Sequence, residues 1–169
     1  SLKGAGVTAE DMRDAGVGAV ALKDKYTLEE LWVGYAAAEL LLAGFDIRSL
    51  KGAGVTAEDM KDAGVAGSSL KTNGYAIQDL LDGGLSLSEV LSSGYTPLEL
   101  KDAGISIADL KDAGAGFGDV VGVFPDIEIA ALWTMELMVS EGASNEAVGQ
   151  IFSESAIKAA GLKAEGKTV

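Results

Sequence analysis

The ten residues ISIADLKDAG (105–114) admit two readings, and the choice between them decides the fold. In a helical reading, Ser106 is an N-cap and Asp109, three residues on, is its partner in a capping box. Gly114 then takes the left-handed position that closes a helix. The unit is a helix of about seven residues, ~10 Å long, and a tight turn. In the other reading, Leu100, Ile105 and Leu110 recur every five residues and mark the inward column of a pentapeptide-type right-handed β-helix. That fold wants a small residue two places before each central one, and Arg48, Glu58, Gln78 and Leu98 stand in that column. The helical reading fits better.

Outward from this unit the same signals recur. Thr8/Asp11, Thr27/Glu30, Thr56/Asp59, Ser86/Glu89 and Thr96/Glu99 repeat the capping spacing, and Pro97 stands at a first helical position. Glycine falls at 34, 44, 54, 64, 74, 84, 94, 104 and 114, and an apolar residue follows each one. Four places before them stand Leu40, Leu50, Met60, Leu70, Leu80, Val90, Leu100 and Leu110, with only Glu30 departing from the column. Helices this short do not persist alone and need neighbours over their apolar face. The expected fold is therefore all-α, a solenoid of short helices with two per coil, and Lys and Asp at the remaining positions facing water.

Residues 49–65, SLKGAGVTAEDMKDAGV, repeat residues 1–17 except at Arg13, 48 positions apart. Five ten-residue units span fifty positions. The steps from Gly16 to Lys25 and from Lys25 to Gly34 are nine residues each, which accounts for the missing two. The repeat region is assigned to 1–124 and a C-terminal helical cap to 125–169. In the cap, Asp126 is expected to start a helix over 127–140. Ser144 is expected to start another over 145–160, with Val148, Ile151, Phe152 and Ala156 on one face. IKAAGL (157–162) echoes the repeat out of register, and KAEGKTV (163–169) is expected to fray.

The LKDAG units at 100–104 and 110–114 resemble the L-K-x-A-G decapeptide arrays of uncharacterised proteins of algae, other protists and some bacteria. The resemblance covers some three-quarters of the chain and implies no shared catalytic residues. Kinship with algal arrays implies an accessory subunit of a photosynthetic antenna complex and a processed, plastid location. Ser1 in place of an initiating methionine is compatible with a removed targeting segment.

Composition narrows the functions. Hydrophobic residues are 48% of the chain but aromatics only 6%, so the core must be built from Ala, Leu, Val and Ile. A net charge of −13 without histidine disfavours nucleic acid and anionic membranes, which attract clustered Lys and Arg. The chain has no cysteine, hence no disulfide or thiolate chemistry. The longest apolar run, LWVGYAAAELLLAGF (31–45), contains Glu39 and is too short for a bilayer span.

GAGFGDVVG (114–122) superficially resembles a phosphate loop, but a repeat unit precedes it where such loops need a buried strand. Acid pairs at Asp11/Asp14, Asp59/Asp62, Asp79/Asp82 and Asp109/Asp112 allow at most weak divalent cation binding. The simpler assignment gives the first acid to the helix start and the second to solvent. Without His or Cys, and with carboxylates recurring as surface punctuation, no enzyme, cofactor or metal site is expected. Candidate partner contacts are the apolar residues at usually polar positions, Leu41, Leu42, Leu81, Leu91 and nearby Trp32, with burial through the nine-residue steps the favoured alternative. Trp133, Met135 and Met138 are candidates too, with burial under the cap the favoured alternative. The expected function is a non-enzymatic scaffold or linker, a small subunit of a larger protein assembly. A stand-alone ligand or cation binder is the alternative.

Overall fold

The computed structural model describes residues 3–159. Among them are fifteen α-helices and no strand, so the chain is all-α and the β-helix alternative falls. A first compact unit, Ser1–Gly94, holds α1 (Ala9–Asp14), α2 (Ala19–Leu22), α3 (Leu28–Gly34), α4 (Ala37–Leu42), α5 (Ile47–Gly52), α6 (Ala57–Asp62), α7 (Gly67–Thr72), α8 (Ile77–Asp82) and α9 (Leu87–Ser92). A second, Tyr95–Val169, holds α10 (Pro97–Asp102), α11 (Ile107–Asp112), α12 (Phe117–Val120), α13 (Asp126–Leu132), α14 (Met135–Ser140) and α15 (Asn145–Ala159). The compositional change after residue 124 falls inside this second unit.

The helix starts follow from the side chains. In α1, α3, α6, α9 and α10 the cap hydroxyl accepts from the N–H three residues on, and the carboxylate there accepts the cap's own N–H. Ser106 makes only the first half, accepting from Asp109 N at 3.2 Å. Three starts were not legible. Asp46 caps α5 by accepting from Ser49 N at 2.9 Å, and Ala36 and Ala76, lacking a capping side chain, donate their N–H to Glu39 and Asp79. The recurring acid thus serves the backbone even where the hydroxyl is missing.

These bonds make helix starts pH-sensitive. The N–H groups of Thr8, Ser49 and Ser86 hold the carboxyls of Asp11, Asp46 and Glu89 below their ordinary range. A folded-state pKa below the unfolded one stabilises the fold above the unfolded value, and that contribution is lost as pH falls through the folded one. Helical circular dichroism and Tm should therefore both fall on acidification below about pH 4. Protonation also relieves repulsion in a chain of net charge −13, an opposing effect that salt suppresses. The titration is best run at high ionic strength, where an unchanged or rising Tm would refute the capping role.

The helices pack chiefly on the second one after them. In the first unit α1 lies on α3, α2 on α4, α4 on α6, α6 on α8 and α7 on α9; in the second α11 lies on α13. Two helices therefore make one coil, as expected. One residue per helix is fully buried: Leu31, Leu40, Leu50, Met60, Leu70, Leu80 and Val90, then Leu100, Leu110, Val120, Ile129 and Met138, each at 0% exposure. Tyrosines tie adjacent coils across this core, the hydroxyls of Tyr26 and Tyr75 donating to the carbonyls of Val7 at 2.9 Å and Val55 at 2.8 Å. Burial, with lesser pressure from Asp59 and Asp79, pushes the Tyr75 hydroxyl up to about 12.

The buried column corrects the register. After α4 the turn is a Schellman closure: Gly44, at φ +83°, donates to Leu41 O, and Phe45 N reaches Leu40 O at 3.1 Å. In the nine-residue units that glycine is absent. Tyr26, Tyr35, Phe124 and Trp133 instead donate one residue shorter, to Leu22, Leu31, Val120 and Ile129 at 2.9–3.1 Å, and each buries an aromatic ring there. Gly34, first on the ten-residue ruler, is consequently helical. Its lack of a Cβ lets α3 close on α1, since a Cβ there would lie 3.0 Å from Glu10 N. The buried residue of α3 is Leu31, so Glu30 is no exception to the column.

Two more nine-residue steps, Val120 to Ile129 to Met138, carry the same pattern into the C-terminal region. The helix expected over 127–140 is for this reason two, α13 and α14, broken at extended Trp133 and Thr134. Thr134 caps α14 by accepting from Leu137 N at 3.2 Å. At 15 residues α15 is longer than the other helices, and it buries Val148 and Ile151 and packs on α13 and α14. Phe152 is half-buried. The side chain of Ala156 and the segment KAEGKTV lie outside the described residues, and only the start of IKAAGL falls within α15.

Candidate interaction surface

The position after the buried residue is most often basic, and its side chains, exposed or half-buried as expected, also bond across the coils. Lys51, Lys61 and Lys71 reach across to the carbonyls of Gly74, Gly84 and Gly94 in the next coil, and Lys23 to those of Ala43 and Gly44. Lys101 and Lys111 do the same to Val123 and Leu132. Arg13 donates to Gly34 O at 2.6 Å. The ammonium satisfies the orphan carbonyls of a helix end, where a cation is also favoured by the dipole. Several of these cations also sit on the aromatic ring that follows the carbonyl: Lys23 on Phe45, Lys51 on Tyr75, Lys101 on Phe124 and Lys111 on Trp133, at 4.8–5.1 Å.

This clamp column explains several candidate contacts. Trp32, Leu41, Leu81 and Leu91 all stand in it, and all four are half-buried. In α4 the residue at this position is aliphatic, Leu41. Trp133 and Met138 are removed from the surface altogether, at 1% and 0% exposure, because they occupy the post-helix and buried columns. Met135, expected under the cap, is exposed instead.

The next position outward is the acidic one, with Asp14, Asp24, Asp62, Asp82, Asp102 and Asp112. In α3 and α4 it carries Val33 and Leu42, which are 75% and 84% exposed. Leu42 was marked by its place in the ruler. Val33 was missed because the ruler, anchored on Gly34, put α3 one residue out of phase. Val20, Leu98, Val121 and Val139 are further exposed apolar residues that the spacing did not single out.

Val33 lies on a groove of about 420 Å³ between α1 and α3. Val7, Ala9 and Tyr26 also line it, and Glu10 and Glu30 carry its negative charge. The Tyr26 hydroxyl bond to Val7 O and the close approach of Gly34 to Glu10 hold the walls together.

The glycine-rich stretch GAGFGDVVG is a repeat unit. Gly116 N donates to Asp119 at 2.9 Å and Phe117 N to Glu141, so carboxylates occupy the start of α12. Among the described residues, no group of three or more acidic side chains is arranged to hold a metal ion, and no helix is long and apolar enough to cross a membrane.

Residues 25–97 match the family model of the decapeptide repeat region, a match that fits a repeat scaffold. No curated protein and no solved structure matches the chain.

Proposed function

From a decapeptide-repeat solenoid we infer a non-enzymatic scaffold that makes protein–protein contacts as a small subunit of a larger assembly. The observation that carries this reading is the exposure of Val33 and Leu42 in a column that carries aspartate in six other units. Covering one such side chain with a partner gains about 1.5–3 kcal/mol. Half-buried Trp32 and Leu41 on the same two helices extend the apolar area. The clamped, repeating coils supply a rigid frame, and outward carboxylates keep it soluble.

The test is the double variant Val33→Asp/Leu42→Asp, which gives α3 and α4 the residue that other units already carry there. In native size separation of an extract from the source, the wild-type chain should migrate with a larger complex. The variant, its helical circular dichroism retained, should run near its own 17.2 kDa. A wild-type chain running alone, or a variant remaining in the complex, would overturn the assignment.

A further inference from the structure

Resting on the scaffold reading, the geometry points to a basic amphipathic segment of a partner protein as the occupant of the α1–α3 groove. Its apolar residue would lie against Val33 and Tyr26, and its cations beside Glu10 and Glu30. Most basic residues of the array are held in the clamps. Of the nine basic residues from Arg13 to Lys111, seven are bonded to backbone carbonyls of the following coil, leaving Lys25 and Arg48 outside the clamps. Arg13, on the groove's own α1, is further matched by Asp14 at 3.1 Å. The groove's own lining is anionic, with Glu10 and Glu30 and no basic residue. A second copy of this chain, itself at −13, would be repelled from it, whereas a cationic segment is drawn in. Charge brings the partner close, and the apolar contact at Val33 sets its position.

The probe is a helical peptide of roughly 18 residues built from leucine and lysine, with leucine at helical spacing on one face. Its binding to the full chain is followed by fluorescence anisotropy of the labelled peptide. Controls are the peptide with glutamate for lysine and the peptide with alanine for leucine. Wild type should bind the leucine–lysine peptide, and each control about tenfold or more weakly. Val33→Asp should weaken binding by about tenfold, whereas Leu98→Asp, at an exposed apolar site on α10, should not. Glu10→Lys, which reverses a charge on the groove without touching the core, should weaken it similarly and serves if Val33→Asp fails to fold. Absence of binding, equal binding by Val33→Asp, or equal binding of the alanine peptide would each overturn the inference. The scaffold reading is judged separately by native migration, which would be unaffected if only the partner's chemistry were misassigned.

Discussion

Replacing Leu40 with alanine is expected to destabilise the first unit by about 2–5 kcal/mol, the range for leucine truncation in a packed core. Leu40 is completely buried in α4, which packs on both α2 and α6. The neighbours on its own helix that share the burial, Ala37 and Ala43, are too small to fill the space left behind. A solenoid coil touches only adjacent coils, so the damage should be local. Chemical denaturation followed by circular dichroism gives the loss, and hydrogen exchange its location. Amides of α2, α4 and α6 should lose protection well before those of α10 and α11. An unchanged denaturation midpoint, or a uniform loss across both units, would contradict this packing.

Gly83→Ala is expected to be destabilising by about 1–3 kcal/mol, although neighbouring units favour the substitution. Ala43, Ala53 and Ala63 occupy the equivalent position, and Gly83 has an ordinary φ of −77°. From propensity alone, alanine should stabilise by a few tenths to about 1 kcal/mol. Here, however, a Cβ would stand 2.6 Å from Glu58 N and 2.9 Å from both Ala57 C and Ala57 Cβ. These are mostly backbone atoms at the start of α6 and cannot rotate away. Steric overlap must therefore separate α8 from α6, and that outweighs the entropic gain. Thermal denaturation beside wild type decides it, and a raised Tm would show that the two helices do not meet this closely.

The fold was legible in the sequence where one residue type does one job at one spacing. Hydroxyl caps, left-handed glycines and the buried leucines are of this kind, and five of the six expected capping boxes form in full. What was illegible depends on partners some twenty residues away. Lysine looks like a solvated surface residue until the next coil brings a glycine carbonyl and an aromatic ring beneath it. Gly34 has the spacing of a turn glycine but serves a close helix contact, and that confusion displaced α3 by one residue and hid Val33. In the same way Trp133 sits where a glycine-free turn needs a ring, so the sequence around it looks like one long apolar helix. The surface was only half readable. Leu42 declared itself by breaking a column, whereas Trp133 and Met138 have the composition of a contact patch and the burial of a core.

The near-identical segments 1–17 and 49–65 place α1 and α6 on opposite sides of the coil, since helices stack chiefly on their second neighbours and the two are five helices apart. Yet both begin with the same alanine and glutamate, and both receive a glycine from the helix two places on, Gly34 against Ala9 and Glu10, Gly83 against Ala57 and Glu58. Nothing in a unit's own residues therefore specifies which side it will occupy; position in the queue does. Exchange between these two stretches would lengthen the array by five units, an odd number. Units beyond the junction change sides and find there the same neighbours they had before.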